Sequence, residues 1–480
     1  MLRGTFWNVL MRWSIRAIGL INVVILARLL TPDDFGIVAM GIITMALLES
    51  FANLNVTSLI IREKNLDRAT IDTAWSMQFL QNLALAFILA ASAPLIATYF
   101  GDPRVTDIIL VLAIATSIRG LTNIGMTLVR RELDYAKDFR FEVYKKLSIF
   151  SITLALALSL QSYWAIVIGQ LAGAVIEVIL SFLMHSYRPR PQLKNCRRFL
   201  NFGLIMSLTN TLQYLNQRFD SWVVAGISNA ATFGLYNIAL ELSRMIINEI
   251  TTPVNRALYP AYAKISHDRE GLAEIYLNTL GIIITLYFAL GIGLHMVADE
   301  MVRVILGEKW LDAIPIIEWL ALLALFEGIF QMLAGNVVNV IHKEKAGLYL
   351  HIGRFIMIAP AIIVASLFGD IITIAMTAAL ATAAYIPITI GVAARLFGVG
   401  SWRITILFWR PVLAGMVMGL SIEALHVSTR LPILGLALDI LVGVLTYTSA
   451  LLALWFLAGR PDGAERQVLD KFRKKLHPRA

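Results

Sequence analysis

The sequence predicts an all-α integral membrane protein of about fourteen transmembrane helices: two six-helix lobes related by a pseudo-repeat, with two extra helices at the C-terminus. Three observations carry this reading. Of the 480 residues, 58% are hydrophobic and 15% charged, against about 25% charged in an ordinary soluble protein. Apolar runs of about 20 residues, the length a bilayer core demands, recur along the whole chain. Lys and Arg gather on alternate loops between those runs, as the positive-inside rule requires.

The first run, 6–26, carries Arg12 and Arg16 one helical turn apart on one face. A guanidinium at membrane depth costs roughly 3 kcal/mol on insertion scales and must meet protein or water, so this face is expected to line a basic internal cavity. Thr31-Pro32-Asp33-Asp34 then breaks the helix and restarts it. Proline removes a backbone donor, and the aspartates cap the next helix and suit the positive end of its dipole. The later spans are expected at 35–61, 73–100, 105–129, 143–160, 164–185, 199–227, 233–258, 272–297, 313–341, 346–368, 371–396, 404–425 and 431–457. The implied domains are an N-terminal lobe 1–198, a C-terminal lobe 199–396, and 397–480 with the last two spans and a basic tail. In that tail, Val468, Leu469, Phe472 and Leu476 fall at the spacing of an amphipathic surface helix.

Charge tests the count independently. Twenty-eight Lys and Arg fall on one side, including the 188–198 linker and the tail, and only Arg28, Arg104, Arg303, Lys309 and Arg430 on the other. An even number of spans with both termini cytoplasmic follows. The net charge of +9 therefore reflects cytoplasmic loops beside anionic lipid and not nucleic acid. The single cysteine, Cys196, excludes an intramolecular disulfide and a Cys-based metal site. Arg12 and Arg16 also interrupt any signal-peptide core, so the first span is expected to remain in the mature protein. A shift of 198 residues lays Ala27, Phe35, Gly36 and Val56 onto Ala225, Phe233, Gly234 and Val254, which is the trace of the repeat.

Leu29-Leu30-Thr31-Pro32-Asp33-Asp34-Phe35-Gly36, behind an arginine-bearing first helix, resembles the first hairpin of the bacterial polysaccharide-exporter family. These are lipid-linked oligosaccharide flippases of the multidrug/oligosaccharidyl-lipid/polysaccharide superfamily. The subgroup exporting colanic-acid or succinoglycan repeat units looks closest. The resemblance implies a multi-pass protein of the bacterial inner membrane. It implies a substrate carried on undecaprenyl diphosphate and moved by alternating access for exopolysaccharide, capsule or O-antigen synthesis. Its implied partners are membrane lipid, a polysaccharide polymerase and other assembly proteins.

Candidate site residues are the polar groups inside the spans. Arg12, Arg16, Arg119, Gln213, Asn216, Gln217, Arg218, Arg244 and Arg354 are expected to line the cavity, since guanidinium forks bind phosphate oxygens bidentately. Asp220, Glu241, Glu249 and Glu49 are candidates for coupling a proton or Na⁺ gradient. Glu241 and Arg244 are also spaced for a structural salt bridge, and Glu177 is placed to pair with Arg119. Arg256 and Arg410, near helix ends, are expected to snorkel to the interface. The seven histidines lack metal-ligand spacing and no Gly-Lys-Ser/Thr loop occurs, so neither catalysis nor a cofactor is expected. Two alternatives stand beside the flippase: a multidrug exporter of the same superfamily, whose cavity is expected to be acidic or apolar, and a non-transporting scaffold of a polysaccharide assembly complex.

Overall fold

The computed structural model describes residues 2–460 except 64–65, 195, 265–267, 335–342 and 426–431. All regular structure among them is helical. The helices are α1 Leu2–Leu29, α2 Pro32–Ala52, α3 Val56–Arg62, α4 Arg68–Phe100, α5 Arg104–Arg119, α6 Gly125–Arg131, α7 Tyr135–Leu160, α8 Trp164–Met184, α9 Cys196–Ile227 and α10 Ala230–Lys264. They continue as α11 Arg269–Met296, α12 Ala298–Met301, α13 Ile314–Ala334, α14 Glu344–Phe368, α15 Ile371–Phe397, α16 Ser401–Thr405, α17 Trp409–Leu425 and α18 Pro432–Leu457. A π-turn at Val302–Leu306 and a 3₁₀ stretch at Glu308–Ala313 lead into α13.

Among the described residues, eleven helical segments are long and apolar enough to cross a membrane, and the protein is multi-pass. Three further expected spans coincide with α5, α9 and α10, and each falls short for a physical reason. The α5 helix has only 16 residues, about 24 Å, before the Gly120 to Asn123 break. The α9 and α10 helices, of 32 and 35 residues, are long enough, but their polar side chains at depth dilute the apolar signal. The proposed amphipathic tail lies outside the described residues, as does the side chain of Arg256.

The chain forms two compact units, Met1–Gly234 and Leu235–Ala480, dividing inside α10. In the first, α5 packs on both α4 and α8, α7 packs on α8 and α1, and α9 lies against α2 and α4. The unit therefore includes α9, which the sequence division at residue 198 puts in the following lobe. In the second, α13 packs on both α11 and α15, α14 packs on α15, and α17 pairs with α18 and leans on α11. Thus α4, α5, α7 and α8 have the same partners as α11, α13, α14 and α15, which is the repeat expressed as packing. The extra pair, α17 and α18, is tied to the second unit where Tyr447 donates to the Thr285 carbonyl at 2.7 Å.

Helix ends keep the register of the repeat. The 198-residue shift carries the end of α1 at Leu29 to that of α9 at Ile227, and the start of α2 at Pro32 to that of α10 at Ala230. Both restarts are capped by a side chain. Asp34 N–H donates to Thr31 Oγ1 at 3.3 Å, and Thr232 N–H donates to Asn229 Oδ1 at 2.9 Å. Gly36 and Gly234 lie where these two helix starts meet. A Cβ on Gly36 would overlap the Ala230 carbonyl oxygen, and one on Gly234 would overlap the Pro32 carbonyl oxygen. Because the shift takes Pro32 to Ala230 and Gly36 to Gly234, the contact is reciprocal, as a two-fold axis between equivalent elements requires.

Each unit has its own apolar core. In the first, Leu26, Leu30, Ala157 and Ala165 close the α1, α7 and α8 junction. In the second, Tyr276 stacks on Phe397 at 4.1 Å amid Ile284, Tyr287, Leu333 and Ala393, all essentially sealed from solvent. The exposed apolar side chains, such as Phe87, Leu95, Leu367 and Leu457, are those a bilayer covers.

Candidate functional site

The Thr31 to Gly36 turn does more than restart a helix. Asp33 accepts from Arg104 Nη1 at 2.7 Å and Nη2 at 3.2 Å, and the same guanidinium is held by Asp102 at 2.7 Å. Asp34 Oδ1 accepts from the Tyr163 backbone N–H at 2.8 Å, while its Oδ2 accepts from Thr31 N–H at 3.0 Å. Two adjacent aspartates thereby join three connections: α1 to α2, α4 to α5, and α7 to α8. The hydrogen bonds from the Arg104 side chain hold the Asp102 carboxyl below its ordinary value. Its contribution is thus complete above the ordinary carboxylate range and is lost only as the pH falls below that range. Arg104 and Asp33 are about 40% exposed, so Asp33→Asn should cost no more than about 1 kcal/mol. Chemical denaturation of the purified variant measures this. A larger loss would mean that the turn is coupled to more than these loops.

At the opposite end of the unit, the segment after α8 is strapped to α4. Asp72, buried to 3% exposure, accepts from Tyr187 Oη at 2.8 Å and Arg190 N–H at 2.9 Å. Asn123 Nδ2 donates to the Tyr187 carbonyl at 2.7 Å. Nearby, Arg130 binds Asp138 and Glu142, and Lys145 bridges Glu142 and Glu177 at 2.8 and 3.4 Å. The expected Arg119–Glu177 pair is corrected by this network. Lys145 reaches Glu177 from the preceding helix, α7, while Arg119 Nη2 donates to Gln170 Oε1 at 3.1 Å.

Between these ends lies the first polar cluster. Arg12 and Arg16 are half-buried on α1. Glu49, half-buried on α2, lies within electrostatic reach of Arg119 on α5. On α9, Tyr214 donates to the Ile43 carbonyl at 2.6 Å and feels the charges of Glu49, Arg218 and Asp220. Helices α2, α5 and α9 therefore converge on one group of charges. Gln213 and Gln217 are exposed, Asn216 and Arg218 half-buried, and Asp220 buried. Asn216 Nδ2 donates to the Leu212 carbonyl of its own helix at 3.0 Å.

The second cluster lies in the C-terminal unit and centres on a residue that sequence reading did not single out as a site. Glu327, on α13, accepts from Arg244 of α10 through Nε at 2.9 Å and Nη2 at 3.1 Å. It also accepts from Arg354 Nη2 of α14 at 2.9 Å. Arg354 lies over the Phe330 ring, 5.0 Å from its centroid, and His351 meets that ring edge-on. The side chain of Arg354 is only 3% exposed, against 15% for Arg244 and 12% for Glu327. Of the other candidates on α10, Glu241 is exposed and Glu249 half-buried. Each cluster places an acid and an arginine on equivalent helices with the signs exchanged: Glu49 on α2 with Arg119 on α5, and Arg244 on α10 with Glu327 on α13.

Both clusters combine guanidiniums and carboxylates, and the first adds the amides of α9. Among the described residues no group of three or more His, Cys, Asp or Glu is placed to hold a metal ion. Guanidiniums of this kind are able to form charge-assisted hydrogen bonds with anionic groups.

The lipopolysaccharide biosynthesis protein WzxC of Escherichia coli is 24% identical over 355 residues, covering 72% of this chain and 70% of the relative. The teichuronic acid biosynthesis protein TuaB of Bacillus subtilis is 21% identical over 379 residues, covering 78% of each. The succinoglycan biosynthesis transport protein ExoT of Rhizobium meliloti is 23% identical over 337 residues, covering 68% of this chain and 66% of the relative. Among solved structures, the lipid II flippase MurJ in an inward closed conformation matches with a TM-score of 0.77 at 15% identity, over 95% of this chain and 100% of that one. An inward-facing multidrug transporter of the MATE family matches with a TM-score of 0.55 at 16% identity, over 81% of this chain and 94% of that one. The fold is thus the one these transporters share. The family model described as "Polysaccharide biosynthesis protein" matches residues 25–315, more than half of the chain, and the chain belongs to that family.

Proposed function

We propose that this protein is a flippase that carries an undecaprenyl-diphosphate-linked oligosaccharide from the cytoplasmic to the periplasmic leaflet of the bacterial inner membrane. The observation that carries the reading is the set of arginines at helix depth in both units of a polysaccharide biosynthesis protein. Arg12, Arg16, Arg119 and Arg218 lie in the first unit, and Arg244 and Arg354 in the second. A diphosphate is the load that planar guanidinium forks suit best. The names of the relatives, which concern lipopolysaccharide, teichuronic acid and succinoglycan, support the substrate class. So does the likeness in fold to a lipid II flippase. In this mechanism the protein works by alternating access while the lipid tail stays in the bilayer. Both termini are cytoplasmic, and a polymerase receives the product. Asp220, Glu241, Glu249 and Glu49 are the carboxylates through which an ion gradient acts. A cavity lined by arginine is unsuited to cationic drugs, which separates this reading from multidrug export.

Arg16 sits near the middle of α1, where an uncompensated charge is least tolerable. Arg16→Ala is expected to abolish polymer export while the protein remains in the membrane, and Arg12→Ala to weaken it. Arg16→Lys keeps the charge, loses the fork and should give intermediate export. Polymer secretion by cells carrying each variant, normalised to membrane protein level, is the measurement. Full export by Arg16→Ala would remove this residue from the substrate path.

A further inference from the structure

We propose that Glu327 is a built-in stand-in for an anionic group of the transported molecule: it occupies the arginine fork that a substrate phosphate or carboxylate takes over. The inference rests on the flippase reading and adds to it an exchange within the second unit.

Two guanidiniums share this one carboxylate through three hydrogen bonds, and they come from separate helices. The carboxylate therefore determines where both forks sit. Arg354 Nε is buried and has no hydrogen-bond partner. An unsatisfied buried donor, and a charged one, is costly and marks a position where another acceptor is accommodated. Exposure rises across the site from Arg354 to Arg244. Arg354 lies on the Phe330 ring at 3% exposure, whereas Arg244 reaches 15% and Glu327 12%. An anion entering beside Arg244 meets that guanidinium first and the Arg354 Nε–H beyond it. A phosphate or carboxylate group accepts guanidinium forks bidentately as Glu327 does, so it can take over the charge compensation that the side chain supplies. The exchange has a mechanical consequence. Glu327 ties α13 to both α10 and α14, and moving it off Arg244 removes the ionic tie between α10 and α13. Binding of the load and loss of that tie are then one event.

The test is thermal unfolding of the purified full-length protein in nanodiscs, titrated with inorganic pyrophosphate in one arm and glucuronate in the other. Wild type is expected to be stabilised by at least one of them. In Glu327→Gln, where the competing carboxylate is gone, the half-saturating concentration should fall about tenfold, the scale of one charge-assisted hydrogen bond. Adding Arg244→Gln to Glu327→Gln should abolish that gain. A response to pyrophosphate identifies the carrier diphosphate as the source of the anion, and a response to glucuronate identifies an acidic sugar. Should Glu327→Gln not fold, Glu327→Asp carries the test, because its shorter carboxylate cannot span both arginines and should give an intermediate tightening. Unchanged or weaker anion binding in the folded variant, or no stabilisation of wild type by either probe, overturns the proposal. Polymer export that still depends on Arg16 in that case leaves the flippase reading standing.

Discussion

Glu327→Ala is expected to lower the unfolding free energy by roughly 3 to 5 kcal/mol, because it removes the carboxylate that Arg244 and Arg354 share and leaves the buried Arg354 guanidinium without it. The effect should be far larger than for Glu142→Ala. That residue also serves two cations, Arg130 and Lys145, but lies in a network whose arginine is 39% exposed. Solvent there replaces much of what the mutation removes. Thermal unfolding of the two detergent-purified variants side by side measures the contrast. Equal shifts would show that the Arg244–Glu327–Arg354 triad carries no special share of the second unit's stability. Replacing all three residues together with apolar side chains of similar volume should restore most of the loss, since a buried ion cluster is often no more stabilising than a packed apolar one.

Gly36→Ala is the second large expected effect, costing about 3 kcal/mol, the upper end for an overpacked site. The usual escape from overpacking is a side-chain rotation. Here the obstacle is the carbonyl oxygen of Ala230, with the Gly234 amide beside it, so backbone must move instead. The reciprocal contact makes Gly234→Ala an equivalent case, with the Pro32 carbonyl as the obstacle. Gly19→Ala is the control, because nothing approaches that position, and alanine is the better helix former by about 1 kcal/mol. Unfolding temperatures should fall for Gly36→Ala and Gly234→Ala and hold or rise for Gly19→Ala. A Gly36→Ala protein as stable as wild type would contradict the close crossing of α2 and α10.

The membrane fold was legible because a bilayer permits so few solutions: helix length and charge bias alone place most of the spans. The repeat was legible only as four identities, because 198 residues of drift leave intact just what geometry holds. Gly36 and Gly234 persist as a pair because each faces the other's helix start, a reason invisible until the helices are seen to cross. The clusters divide along the same line. Arg12 and Arg16 announce themselves, since two arginines in one apolar run lie on a single helical face. Glu327 does not, since its partners lie 83 residues before it and 27 after it, separations that no helical period connects. The available signal was an acid in α13, whose second half is otherwise apolar except for Gln331, but nothing in the sequence says which arginine answers it. The Arg119–Glu177 expectation failed for the same reason. Lys145 lies on α7, the packing partner of α8, and a local charge at contact distance prevails over a more distant one.

The most direct test of the central claim is translocation itself. Purified protein is reconstituted in proteoliposomes with a fluorescent undecaprenyl-diphosphate-linked oligosaccharide, and transfer between leaflets is followed by accessibility to a membrane-impermeant quencher, with and without an imposed pH or Na⁺ gradient. Wild type is expected to equilibrate the lipid-linked oligosaccharide between leaflets and to accumulate it when the coupling gradient is applied, while Arg16→Ala matches protein-free liposomes. Transfer by wild type no faster than in protein-free liposomes, under either gradient, would contradict the account.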